Sequence, residues 1–296
     1  MKIGIDLGGT NIKVGVVDGG RIVYKDSRPT NLAWSFERTV DEIVSLVKVV
    51  VEKAGINVKS YGTIGIGSPG LIDTVKGEVI YSNNIKWKNA PLAKELQGHL
   101  GVPIKIHNDA KVAALGEAVF GAGKDFKKSI LLTLGTGVGG GVIKDGKIEK
   151  TQAAAGALFG HMSIDYNGRL CTCGRHGCLE TYASATALIA DAKAVMKVGN
   201  LDGKAIFDAY RQGNKAAKVV VDNYIKYLGE GVVSIINICC PDAIILGGGL
   251  SGAGDILTVR LKEYIKDKIF GAKHIAVDII VSKLGNDAGI IGASLL

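Results

Sequence analysis

The chain has 296 residues, 47% of them hydrophobic, and a formal charge of +8. That length exceeds most single domains and provides for two lobes with separate cores. No apolar run approaches the roughly 20 residues needed to cross a bilayer, and the start, MKIGIDLGG, lacks the charged and apolar regions of a secretory signal.

No membrane partner is therefore expected, and a cytoplasmic location follows, where thiols stay reduced and clustered cysteines favour a metal over a disulfide. The positive charge would allow nucleic acid, but Lys and Arg are scattered along the chain without a stripe or an alternation with aromatics. The reading is a lysine-rich solvated surface with some attraction for anionic metabolites, and no nucleic-acid partner.

Residues 3–23, IGIDLGGTNIKVGVVDGGRIV, predict a strand, a glycine turn, a second strand, a DGG turn and the start of a third strand. Residues 39–53 place Ile43, Leu46, Val47 and Val50 on one helical face, and a strand follows in TIGIGSPG at 63–70. A further strand ends at Asn108, and DAKVAALGEAVF at 109–120 predicts an alanine-rich helix capped by Asp109. Residues 130–148, ILLTLGTGVGGGVIKDGKI, then repeat the order of the opening segment. With one residue deleted, Leu7 aligns with Leu134, Gly8 with Gly135, Gly15 with Gly141, Val16 with Val142 and Gly20 with Gly146. Such a duplication predicts two lobes of one fold facing each other across a cleft, with both glycine turns pointing into it. Helices at 184–198 and 216–237, a strand at 243–246 running into Gly247-Gly248-Gly249, and a turn with a small-residue helix in SKLGNDAGIIGASLL complete the chain. The alternation predicts an α/β fold of mixed sheets covered by helices. With no low-complexity linker, a helix near residue 115 is the expected crossing and hinge.

Residues 161–180, HMSIDYNGRLCTCGRHGCLE, hold two histidines and three of the five cysteines and close on a carboxylate. Thiolates with an imidazole suit tetrahedral Zn²⁺, so His161, Cys171, Cys173 and Cys178 are candidate ligands, with Gly174 and Gly177 letting the backbone double back. A disulfide is the rival reading. Cys239 and Cys240, in the run VVSIINICC, read as buried apolar residues.

Three glycine turns follow strands: Asp6 to Asn11 (DLGGTN), Gly135 to Gly141 (GTGVGGG) and Gly247 to Gly249. A single such turn is more often only a tight turn, but two at equivalent places in a duplicated fold can hold a polyphosphate with their N–H groups. None matches the P-loop or the dinucleotide pattern. Asp6, at the end of the first strand, is a candidate for Mg²⁺, directly or through water, or a turn-forming Asx residue. Asn108 and Asp109 stand at a strand-to-helix junction, where an Asp can accept the proton of a substrate hydroxyl during phosphoryl transfer.

In order and spacing, DLGGTNIKVGVVD, GIGSPGLID, HNDAKVAALGE, LGTGVGGGVI, the 161–180 cluster, SIINICCPDAIILGGGLS and LGNDAGIIGA resemble the ROK family of sugar kinases and repressors, its ATP-dependent glucokinases above all. The resemblance covers nearly the whole chain. It implies an actin-like ATPase (ribonuclease H-like) duplicated fold with two lobes around a cleft: a small lobe of residues 1–115 plus 284–296, and a large lobe of 116–283 with the zinc site and a dimer contact. It further implies ATP, Mg²⁺ and a structural Zn²⁺, a hexose substrate, and a homodimer or homotetramer. By position, Asp109 resembles the catalytic base for the primary hydroxyl, and Asn108 and Glu180 resemble ligands of the ring hydroxyls. His161 resembles a residue with one nitrogen on zinc and the other towards the sugar. Gly8, Gly9, Thr10, Thr136 and Gly137 match the phosphate loops, with Asn11 and Lys13 beside the first of them, although Lys13 also reads as a solvent-facing lysine. Gly248 and Gly249 match the adenosine-side turn. Gly67, in GSPG, lines the sugar side by backbone approach, and Asn84 belongs to a segment that covers the sugar.

Two positions depart from the family pattern. Where it reads Gly-Glu-x-Gly-His, this chain has Ala157-Leu158-Phe159-Gly160-His161, so Leu158 replaces a sugar-binding Glu. The alternative to an active kinase is therefore a sugar-binding member with weak or lost activity. Lys111 stands where the helix after Asn-Asp often carries Asn, and reads as a surface change. A repressor role would need a DNA-reading domain ahead of the first strand, and none is expected in a chain that opens on that strand.

Overall fold

In this computed structural model, residues 1–57, 62–150 and 156–296 are described. The opening repeat forms β1 (Lys2–Leu7), β2 (Asn11–Asp18) and β3 (Arg21–Pro29). Helix α1 (Phe36–Lys53) leads to β4 (Ile64–Ser68). A small antiparallel sheet follows, made of β5 (Leu71–Asp73), β6 (Glu78–Ser82) and β7 (Trp87–Ala90). Then come α2 (Leu92–Leu100), β8 (Ile104–Asn108) and α3 (Asp109–Phe120). The second copy begins with β9 (Lys128–Leu134), β10 (Val138–Lys144) and β11 (Lys147–Ile148). Helices α4 (Glu180–Ala183), α5 (Ala185–Met196), α6 (Gly203–Arg211) and α7 (Lys215–Cys239) precede β12 (Ala243–Gly247). The chain ends with α8 (Asp255–Ile265), β13 (Asp278–Val281) and α9 (Ala288–Ala293).

The duplication read from the glycine turns is present in the topology. One sheet runs β3-β2-β1-β4-β8 and the other β11-β10-β9-β12-β13, the same third-second-first-fourth-fifth order of each copy's strands. In both, the central strand pairs in parallel with the fourth, β1 with β4 and β9 with β12, and the fourth in parallel with the fifth. The chain divides into two compact units, one of Met1–Lys124, Gly141–Gly156 and Asn286–Leu296, the other of Asp125–Gly140 and Ala157–Gly285. Helix α3 lies wholly in the first.

Helix α1 buries Ile43, Leu46, Val47 and Val50 completely, as the periodicity predicts, each contributing about 1.5–3 kcal/mol. Helix α9 is short, and glycines on its own surface and on its neighbours let it seat backbone against backbone. A Cβ at Gly292 would lie 1.8 Å from the Val112 carbonyl oxygen of α3, and one at Gly65 of β4 would lie 1.8 Å from that of Ala293. Gly292→Ala is accordingly expected to destabilise the protein by about 3 kcal/mol or more, read as a lowered denaturant midpoint; an unchanged midpoint would refute this packing.

Three expectations are corrected. The cap of α3 is Asn108, whose Oδ1 accepts from the Lys111 N–H at 3.2 Å, while Asp109 is the first helical residue. Lys111 is not a surface residue: only 3% of it is exposed. It faces β10, where a Cβ at Gly141 would lie 2.9 Å from the Lys111 Cα. Cys239 is half-buried and Cys240 exposed, because α7 ends there and Cys240 terminates it in the left-handed region at φ 45°.

Candidate functional site

In the first unit, the β1–β2 register sets Asp6 opposite Lys13, and Lys13 Nζ donates to Asp6 Oδ2 at 3.0 Å and to the Asn286 carbonyl at 3.3 Å. Lys13 is thus an ion-pair partner rather than a freely solvated lysine. The turn Gly8-Gly9-Thr10-Asn11 closes with the Gly8 N–H on the Asn11 carbonyl at 2.9 Å, and the Thr30 hydroxyl donates to the Gly8 carbonyl at 2.8 Å. Asn84 lies beside this turn, its Cβ 3.9 Å from where a Cβ would stand on Gly9.

The β8–α3 junction holds two groups shifted by burial, Asp109 and His107. Asn108 Nδ2 donates to the Gly70 carbonyl at 3.1 Å, tying the junction to the GSPG turn. Gly67 lets the helix start come close, since a Cβ there would lie 3.3 Å from the Asp109 Cα. Burial raises the Asp109 carboxyl from its ordinary range to about 6; the nearby Asp6 charge adds to the rise, and the Ala110 N–H, which Oδ1 accepts, opposes it. A carboxylate poised there can take a proton from a hydroxyl near neutral pH. Burial, assisted by the Lys111 charge, holds His107 down at about 4, and its Nδ1 accepts the Asn108 N–H at 2.8 Å.

In the second unit, His161, Cys171, Cys173 and Cys178 bring their ligand atoms within 4.8 Å of one another. Cys173 and Cys178 sulfurs are 3.6 Å apart, and Cys171 Sγ is 3.7 Å from His161 Nδ1. A tetrahedral zinc with bonds of about 2.3 Å to sulfur and 2.0–2.1 Å to nitrogen spaces its ligands roughly 3.6–3.8 Å apart, so this donor set fits the ion. Cys171, Cys173 and Cys178 form no disulfide with one another, which disfavours the disulfide reading of this cluster. Burial pushes the Cys171 thiol up to about 12, and a bound cation is what would displace that proton.

Glu180 joins this cluster to the second glycine turn. Its Oε1 accepts from Cys171 Sγ at 3.1 Å and lies 3.7 Å from His161 Nδ1, while a Cβ on Gly137 would lie 2.7 Å from its Oε2. The turn itself closes with the Gly135 N–H on the Gly137 carbonyl at 3.1 Å, leaving Thr136 exposed. Leu158 is 53% exposed, unusual for a leucine, and its carbonyl accepts the His161 N–H. Gly248, at φ 80°, lies against the Leu134 backbone, whereas Gly249 faces open space. Asp165, Arg169 and Tyr182, which fasten the 161–180 loop, went unread in the sequence: a charged loop residue has no partner that spacing can reveal.

The ROK family model matches residues 2–296. A glucokinase of Thermotoga maritima is 38% identical over 99% of this chain and 95% of its own length. A xylose repressor of Caldicellulosiruptor bescii is 31% identical over 98% of this chain and 76% of its own length. Among solved structures, a ROK family glucokinase from Streptomyces griseus in complex with glucose and AMPPNP is similar with a TM-score of 0.86 and 33% identity, over 99% of this chain and 97% of that one. A match across the full chain, together with two sheets of one topology, leaves a single conclusion: the chain belongs to the ROK family and has its actin-like ATPase fold.

Proposed function

We propose that this protein is an ATP-dependent kinase that transfers the γ-phosphoryl group to the 6-hydroxyl of a hexose, with Asp109 as general base. The observation that carries the reading is the Asp109 carboxyl, held near 6 by burial at a strand-to-helix junction, in a chain alike over its full length to glucokinases. The hydroxyl oxygen attacks the γ-phosphorus as its proton passes to Asp109; the new oxygen–phosphorus bond forms while the bond to the β,γ-bridging oxygen breaks, and ADP leaves. Asn108, Asn84 and the Gly67 backbone orient the sugar, as do Glu180 and His161. N–H groups of Gly8, Gly9, Thr10 and Asn11, and of Thr136 and Gly137, serve the phosphates, with Gly248 and Gly249 towards the adenosine. Catalysis is positioning and electrostatics, without a covalent intermediate.

Asp6, neighboured by Lys13, would hold Mg²⁺, which offsets phosphate charge when bound. His161, Cys171, Cys173 and Cys178 would hold Zn²⁺, which supplies a rigid brace for the loop that ends at Glu180. A reduced thiol cluster of this kind suits a cytoplasmic setting.

A second reading, a sugar-binding member with weak kinase activity, is favoured by the exposed Leu158. Leu158→Glu separates the two. A carboxylate hydrogen bond to a sugar hydroxyl contributes about 1.5–3 kcal/mol, so the KM for glucose is expected to fall about tenfold or more with kcat little changed. An unchanged KM would remove Leu158 as a determinant of specificity. Phosphorus coupling to the C6 protons of the product tests the position of transfer, and coupling at any other carbon would overturn it.

A further inference from the structure

Beside the metal-ligand cluster lies a second fastening made of residues that are not ligands. The Tyr182 hydroxyl, on α4, accepts the backbone N–H of Arg169 at 2.8 Å and donates to Asp165 Oδ2 at 3.3 Å. The Arg169 guanidinium sits 4.6 Å from the centroid of the Tyr182 ring, donates to the Thr181 carbonyl at 2.9 Å and pairs with Asp191 of α5 at 2.9 Å. The Tyr182 ring also packs against Tyr227 of α7, with centroids 4.3 Å apart, and only 3% of the residue is exposed. The fit is close: a Cβ at Gly168 would lie 2.0 Å from the Tyr182 hydroxyl oxygen. Loop residues 165 and 169 are thereby held to the two residues that directly follow Glu180 on α4, with Asp191 tying Arg169 to α5 and Tyr227 tying Tyr182 to α7.

We propose that Tyr182 and Arg169 are positioning residues: a clasp that sets the Glu180 carboxylate for the substrate, separate from the metal ligands. The inference rests on the reading of Glu180 as a sugar ligand. With a metal bound, Cys171, Cys173 and Cys178 would hold the loop itself, whereas the clasp holds the Thr181 carbonyl and the Tyr182 side chain. Removing the clasp frees Glu180 to move against both Gly137 and His161.

Tyr182→Phe keeps the ring between Arg169 and Tyr227 and removes both hydroxyl hydrogen bonds. The sugar KM is expected to rise about five- to tenfold, the size of one to two lost hydrogen bonds, with kcat and the KM for ATP within about twofold. In a Glu180→Gln background the same change is expected to add nothing, because both act through one carboxylate. Hydrogen exchange supplies a readout that needs no turnover: amides of residues 165–178 are expected to exchange faster in Tyr182→Phe than in the unmodified protein. An unchanged sugar KM with unchanged exchange, or a fully additive effect with Glu180→Gln, would overturn the clasp. No hexose-dependent turnover by the unmodified protein would overturn the kinase reading instead, and the exchange comparison would still decide the clasp.

Discussion

Asp109→Asn is expected to lower kcat by about 10²- to 10⁴-fold, the usual contribution of a positioned general base, while leaving sugar binding close to that of the unmodified protein. The amide keeps the size of the carboxyl and a carbonyl oxygen for the Ala110 N–H but cannot take the proton. The same residue sets the acid limb of the pH profile. Its carboxyl is held up at about 6, and only the deprotonated form serves as base, so kcat/KM is expected to fall as pH drops through about 6. The stability effect has the opposite sign. Because the folded state holds this proton at a higher pH than the unfolded chain, stability declines as pH climbs from about 4 to about 6 and stays reduced above it. Asp109 as a whole residue is only half-buried, which tempers the effect, and Asp109→Asn is expected to gain on the order of 1–2 kcal/mol at pH 7. Lost turnover with a raised denaturant midpoint therefore separates a missing base from a damaged fold. Substantial retained turnover would remove Asp109 from that role.

Cys178→Ser is expected to have the second large effect. Cys178 is fully buried and 3.6 Å from Cys173 across the cluster, so a hydroxyl in its place loses both the soft ligand and its reach. Metal analysis after dialysis is expected to give about one zinc per chain for the unmodified protein and far less for the variant, with the sugar KM raised about tenfold or more. No strand of either five-stranded sheet comes from residues 161–180, so sugar affinity is expected to fail before global unfolding does. An unmodified protein that is folded, active and free of zinc after dialysis would contradict the metal centre.

Much of this was legible in the chain because the repeat carries it. Once Gly8 aligns with Gly135 and Gly15 with Gly141, one sheet topology serves for both halves, and both have the order the repeat implies. The Cys-His cluster was legible for a similar reason: ligand spacing is local, and glycines at 174 and 177 mark where the chain must turn. What escaped was set by tertiary packing. A lysine in an alanine-rich helix gives no sign of burial by its type, and it is the close packing at this position, with Gly141 of β10 against the Lys111 backbone, that places it in the interior. Asp109 and Asn108 both suit a helix cap, and the choice between them depends on which side chain folds back onto the Lys111 N–H. Cys240 is exposed although it closes an apolar run, because such a run says nothing of where its helix ends. Arg169 and Tyr182 lie 13 residues apart, with nothing in their types to pair them before the loop has folded.

Coupled ADP release with Mg·ATP against glucose and a panel of other hexoses tests the kinase reading most directly. Hexose-dependent ADP formation by the unmodified protein, abolished in Asp109→Asn, is the expected result. A folded, zinc-replete protein that releases no ADP with any hexose would contradict it.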